Sequence, residues 1–203
     1  MPEIEWILFL AQIPANPSSL RVKIWRKLRD AGSTSLQNGV WILPRNGENT
    51  IFLQRLLAYI KQSGSGGQIF LVQGLDQAVH EDIIGRFNAD RDEEYEEFLE
   101  QCEAYLIELE KESHHQKFTY AELEENEQSL HRLRKWLAKI QKRDFFKSKK
   151  SLDAVITLQN CHRRLKSYTL QVYTQEGVDS FPDVDTLDRD SKLSELGDRD
   201  GRE

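Results

Sequence analysis

The chain is poor in the residues that carry most recognisable chemistry. Of its 203 residues only two are cysteines, Cys102 and Cys161, and they lie at no metal-ligand spacing. That excludes a zinc ribbon or a disulfide-stapled scaffold. The expectation is two buried thiols in a reducing compartment. The five histidines form no HxxxH or HExxH pattern. No Ser-His-Asp or Cys-His set can be assembled from their spacing. Gly64-Ser65-Gly66-Gly67 precedes an apolar strand-like run, not a helix, so it reads as a flexible turn and not as a phosphate loop. No apolar run approaches the ~20 residues that span a bilayer. Residues 1–13 have no basic segment ahead of their apolar run and no small-residue cleavage site behind it. A cytoplasmic protein is expected, with no membrane, metal, cofactor or catalytic residue, and not an enzyme. Residues 90–97, DRDEEYEE, hold many carboxylates but lack EF-hand spacing and its turn glycine. They read as a solvated helix start favoured by the helix dipole.

Charge is what the chain has in excess. Charged residues make up 31% and hydrophobic ones 38%, against roughly 25% charged in a typical soluble domain. The net charge of −6 hides segregation. Residues 1–76 carry eight basic and five acidic residues, 77–116 three and 13, 117–175 13 and six, and 176–203 four and ten. Such blocks can dock on one another or tune contact with a polyanion.

Hydrophobic periodicity divides the chain. Residues 6–13, WILFLAQI, read as a buried strand broken by Pro14 and Pro17. Ser18 or Ser19 can cap a helix in which Leu20, Ile24 and Leu28 recur at four-residue spacing, Trp25 widens the apolar face, and Gly32 follows the end. Residues 36–43, LQNGVWIL, are either one kinked strand or a hairpin turning at Asn38-Gly39. A polar loop at 45–49, a helix over 51–60 and a strand over 68–73 complete a β-α-β(β)-α-β order. That order predicts an α+β fold, a ferredoxin-like βαββαβ-type domain over residues 1–76.

After residue 76 the composition changes. An acidic helix over 93–112 carries Tyr95, Phe98, Cys102, Tyr105 and Leu109 at seam-like spacing. A second helix, capped by Thr119 with Glu122 as its capping-box partner, carries Leu130, Leu133, Leu137 and Ile140. Residues 145–150 interrupt the pattern. A third helix over 152–173 presents Val155, Leu158, Leu165 and Val172. Residues 77–175 are therefore expected to form an antiparallel helical hairpin or three-helix bundle. Residues 176–203 are expected to be a disordered acidic tail.

Two basic features point to a polyanion. In the first helix Arg21, Lys23, Arg26, Lys27 and Arg29 surround the apolar stripe, opposed only by Asp30. In the second, residues 129–166 hold 12 Lys and Arg against Asp144 and Asp153. There Arg132, Lys135, Lys139 and Lys142 line one helical face, two residues out of step with the leucine stripe. Either stripe can contact phosphate by displacing condensed counterions. The second can instead pair with the chain's own acidic segments. No helix-turn-helix recognition pattern assigns base readout.

The strings RVKIWRKLRDAG (21–32) and LQNGVWILP (36–44), continued by FLVQGLD and GRFNADRDEEYEEF (85–98), resemble the N-terminal domain of the ChrB-type chromate-resistance regulators. A fainter likeness is to the central domain of the PaaX-type repressors. The likeness covers residues 6–145. It implies a transcriptional regulator of a chromate-efflux operon that binds promoter DNA and is released by chromate. The family's longer members carry a C-terminal domain associated with chromate response. Here the residues beyond the shared module are a basic helix and an acidic tail. Arg86 and Arg91, within the matching segment, are candidate oxyanion-binding residues, with bracing of the fold as their other role. The same plan resembles the small ferredoxin-like nucleases of CRISPR adaptation, which hold a metal with an aspartate at the end of the first strand. This chain has Gln12-Ile13-Pro14-Ala15 there, so the hard-cation chemistry lacks its anchor.

The leading expectation is a regulator binding double-stranded promoter DNA through Arg21, Lys23, Arg26, Lys27, Arg132, Lys135, Lys139 and Lys142, with chromate as effector. A homodimer would match a palindromic operator. The alternatives are a protein-interaction module that does not bind DNA and, behind it, a metal-dependent nuclease.

Overall fold

Strand β1 (Trp6–Gln12) is apolar almost throughout because both of its faces are covered. The structure, a computed structural model, describes residues 4–14 and 18–177. Ala15 and Pro17, and residues 178–203 of the expected tail, lie outside the described residues. In chain order β1 is followed by α1 (Ser18–Asp30), β2 (Thr34–Gln37), β3 (Val40–Pro44), α2 (Gly47–Gln62) and β4 (Gly66–Val72). Three long helices come next: α3 (Gln77–His114), α4 (Tyr120–Arg143) and α5 (Ser151–Gln175). The sheet order is β2-β3-β1-β4, and β1 is antiparallel to both neighbours, with Phe9 opposite Trp41 and Ile69. This is the ferredoxin-like plan, and the fold is α+β.

The ambiguity at Asn38-Gly39 resolves as a hairpin. Gly39 has φ +79°, and a Cβ there would stand 2.9 Å from the Ala11 carbonyl oxygen. Only glycine tolerates both the left-handed backbone and that approach. The turn is locked when the Ala11 amide donates to the Gly39 carbonyl at 2.7 Å.

Side chains alternate across β1. Ile7 and Phe9 join Trp41 and Leu43 in a core closed by Ile24 and Leu28 of α1 and Leu53, Leu56 and Ile60 of α2. Trp6 and Ile42 point the other way, onto Ile83 and Phe87 of α3, with Phe145 and Phe146 alongside. The Trp6 ring stacks on Phe87 at 5.9 Å, and its Nε1 donates to His80 Nδ1 at 3.0 Å.

Four expectations change here. Helix α3 starts at Gln77, not at residue 93, because Ile83 and Phe87 at four-residue spacing cover the second sheet face. The polar loop 45–49 instead opens α2, with Asn46 as N-cap accepting from the Asn49 amide at 2.7 Å. The 64–67 turn is shorter, since Gly66 and Gly67 already pair with Gln12 and Ala11. On α5 the buried stripe is Ala154, Cys161, Leu165, Tyr168 and Val172, with Val155 and Leu158 at its margin.

The described residues fall into two compact units. The first holds those within Met1–Glu97 and Leu137–Leu152, the second those within Phe98–Trp136 and Asp153–Glu203. The compositional change at residue 76 thus marks the start of α3, while packing keeps the first turns of that helix with the sheet. The second unit is an antiparallel three-helix core. Phe98 meets Trp136 edge-on at 5.6 Å and Glu112 meets Asn126, so α3 and α4 run in opposite directions. On α5, Cys161 Sγ lies 3.7 Å from the Cys102 carbonyl oxygen; both cysteines are buried and free. The Cys102 thiol is pushed well up by its contact with Cys161 and by burial, so it is held protonated. Among the described residues no helix is long and apolar enough to cross a membrane.

Candidate nucleic-acid interface

Helix α1 turns one side to the sheet and the other to water. Ile24 and Leu28 are buried, while Arg21, Lys23, Arg26 and Lys27 are all exposed. The separation follows from 3.6-residue periodicity: Arg26 falls on the side of the helix opposite the Leu20, Ile24 and Leu28 stripe, and Arg21, Lys23 and Lys27 flank that stripe. Trp25 does not widen the apolar face as its type suggested. It is 50% exposed, with the Arg29 guanidinium 5.7 Å from its ring centroid. Lys23 sits 4.7 Å over the Tyr59 ring. Arg29 is drawn aside to Asp90, 3.7 Å away, which also accepts from Thr34 Oγ1 at 2.8 Å.

The second basic stripe is shared between the units. Lys139 and Lys142 lie in the first and Arg132 and Lys135 in the second, all four exposed. Within the first unit the structure brings Lys27 and Lys142 to one cavity of about 310 Å³, with Arg143, Asn49 and Phe52 in its wall. Asp30 and Glu48 also line it, and Lys142 Nζ is 2.7 Å from Glu48 Oε1. That pair is exposed on both sides and so contributes only ~0–1 kcal/mol. The first turn of α2 lies in the same wall, and a helix N-terminus favours an anion. Three cations and a helix start thus share this wall with two carboxylates. Arg143 and Asn49 were not singled out by spacing; the cue for Arg143 was its place in the last basic turn of α4.

In the second unit Arg132 Nη2 donates to Ser129 Oγ at 2.8 Å. A separate cavity of about 280 Å³ there is lined by His131, Arg134, His162 and Lys166 around Glu127. Burial, then the neighbouring Glu124 charge, raise the Glu127 carboxyl above its usual range.

The acidic run at 90–97 is less solvated than expected. Glu94 accepts from Arg143 Nη2 at 2.8 Å and pairs with Arg91 at 3.3 Å. Asp92 accepts from Ser148 Oγ, and Glu96 pairs with Lys150. Basic residues of 143–150 are thus partly neutralised from within, whereas Lys135 and Lys139 meet no carboxylate among the described residues.

Arg86 and Arg91 are not brought together. Arg86 is exposed, donates to Asp82 at 3.0 Å, and lines a cavity of about 290 Å³ with Trp25, Arg29 and Asp90. Arg91 is buried, and its Nε and Nη1 have no partner among the described residues. Burial is the main force lowering its pKa, partly countered by Glu94. Among the described residues no three His, Cys, Asp or Glu side chains are grouped to hold a metal ion.

The family profile for the N-terminal part of protein ChrB matches residues 21–178. The chain belongs to the ChrB N-terminal family. This is the family of chromate-resistance regulators that its motifs resemble. Over 98 residues it is 28% identical to Protein ChrB of Cupriavidus metallidurans (strain ATCC 43123 / DSM 2839 / NBRC 102507 / CH34), covering 48% of this chain and 30% of that protein. The chain therefore matches about a third of the length of that relative.

Proposed function

We propose that this chain is a transcriptional regulator of a chromate-efflux operon, without enzymatic activity, that binds promoter duplex DNA. The observation that carries the reading is the outward row Arg21, Lys23, Arg26 and Lys27 on α1, with Lys27 sharing its cavity with Lys142. The row contacts the phosphate backbone, and the cavity takes one phosphate beside the α2 N-terminus. Lys139, and in the second unit Arg132 and Lys135, add contacts of the same sequence-independent kind. Such contacts position the protein and leave base readout to other groups. Chromate is the effector that family membership supports. It is a tetrahedral dianion, and Arg86, at its open cavity beside Arg29, is the residue proposed to meet it, while the buried Arg91, held by Glu94, is left the bracing role.

The test is titration of a fluorescent promoter fragment at several salt concentrations, with and without chromate. Binding should weaken steeply with salt. Replacing Arg26 and Lys27 together by glutamine should weaken it about tenfold or more at low salt and reduce the logarithmic salt slope by about two. Absence of binding at low salt would sink the reading.

A second reading, a protein-interaction module, is favoured by the internal pairing of residues 143–150 with the acidic run. It predicts that the same double variant leaves the chain's behaviour unchanged.

A further inference from the structure

Strand β4 ends the sheet, with β1 on one side and no strand on the other among the described residues. It is seven residues long. Its outer side is not protected in the usual ways. Sheet edges are normally guarded by lysine or other charges, by proline or by a bulge. From Gln62 to Leu75 there is no charged residue and no proline. The register of β4 against β1 runs unbroken from Trp6–Val72 to Gln12–Gly66. Large apolar side chains are exposed along this run: Phe70 by 44%, Leu71 by 56% and Leu75 by 94%.

The order of residue sizes along the strand indicates what covers it. Two glycines, Gly66 and Gly67, occupy one end, and Leu71 and Val72 the other, with Ile69 in the middle. If the strand pairs antiparallel with an identical strand about a two-fold axis at Ile69, Leu71 falls opposite Gly67 and Val72 opposite Gly66. Leu71 and Val72 thus each meet a position without a side chain, while Ile69 meets its own copy and Phe70 meets Gln68, and every pairing occurs twice, as a two-fold interface requires. The charges that bound the neutral run have opposite sign, Lys61 before it and Asp76 after it. Antiparallel self-pairing brings the Lys61 end of one run towards the Asp76 end of the other. A foreign strand has no such match built in.

We infer that β4 is a homotypic docking edge: two copies of this chain join through antiparallel β4 strands into one continuous sheet. The biological use of that dimer, presentation of two basic α1 helices to a two-fold operator, rests on the regulator reading above. The pairing itself does not.

Sedimentation of the full chain without DNA tests the edge directly. Expected is a concentration-dependent dimer whose dissociation constant rises on the order of a hundredfold in Leu71→Lys and in Phe70→Lys, because each variant sets charges into a dry symmetric contact. Both side chains are exposed, so circular dichroism should be unchanged. Ile156→Lys, at an exposed apolar residue of α5, should dimerise like the parent chain. Hydrogen exchange supplies a second readout: alternate β4 amides, those pointing away from β1, should become protected as concentration rises. A monomer at high micromolar concentration would overturn the inference. So would a dimer indifferent to both lysine variants, or unprotected β4 amides in a dimer. Retention of promoter binding by the monomeric variants, or its loss in a dimeric chain with Arg26 and Lys27 replaced, separates failure of the edge from failure of the DNA reading.

Discussion

Among the described residues each of the two units buries one charged side chain, and they do so in opposite ways. The sheet-bearing unit buries a cation, Arg91, held by Glu94 at 3.3 Å while Glu94 also accepts from Arg143 at 2.8 Å. The helical unit buries an acid, Glu112, which accepts from Asn126 Nδ2 at 2.6 Å. An arginine cannot shed its proton in a protein, so its desolvation is permanent and must be offset by partners. A carboxyl can take up a proton and become neutral. Burial is the first cause that pushes the Glu112 pKa up. The sheet unit is therefore organised around a fixed ionic brace between α3 and the end of α4, whereas the helical unit carries a group whose contribution changes with pH.

The largest expected effect breaks the brace. Glu94→Ala leaves Arg91 buried without its partner and removes that of Arg143, which should cost about 3–5 kcal/mol in chemical denaturation. A cost below about 1 kcal/mol would show that the brace is incidental. Arg91→Met sharpens the point, because Glu94 keeps Arg143 and no charge is orphaned. Its cost should stay within about 1.5 kcal/mol. Should Arg91→Met prove as damaging as Glu94→Ala, the asymmetry between the partners is wrong.

Glu112→Gln addresses the other unit. A carboxyl whose folded pKa is raised contributes stability fully below its unfolded pKa and loses that contribution as pH rises through the folded value. Glutamine imitates the protonated form at every pH. The variant should melt about 2–4 °C higher than the parent near neutral pH, with the gain vanishing in the acid range below the usual carboxylate pKa. An equal shift at both ends of the pH range would exclude titration of Glu112 as the cause.

The strands and the seam stripes of the helices were legible because each element carries its own period, whereas the register was not. WILFLAQ, VWILP and the stripes at Tyr95 to Leu109 and Leu130 to Ile140 have the spacing their burial requires. The exposed cations of α1 follow from the same period, so half of the candidate interface was readable. What spacing could not show was the second cover of the sheet. Gln77 to Asp92 reads as polar, and only Ile83 and Phe87, set beneath Trp6 and Ile42, give it a buried side. Trp25 misled for a related reason: an aromatic beside an apolar stripe looks like core, but here α1 already fills its contact with Ile24 and Leu28. The meeting of Lys27 with Lys142, 115 positions later, has no local signature.

The sequence by itself determined the α+β plan, the family, the outward row of cations on α1 and the uncharged run of β4. Periodicity, turn chemistry and composition are local properties, written into neighbouring residues. Only the tertiary structure decided that Asn38-Gly39 is a hairpin, that α3 reaches back under the sheet and that Arg91 is braced while Arg86 is not. It also decided which lysines share a cavity. These outcomes depend on which remote surfaces exclude water from one another, and no spacing within a single element records that.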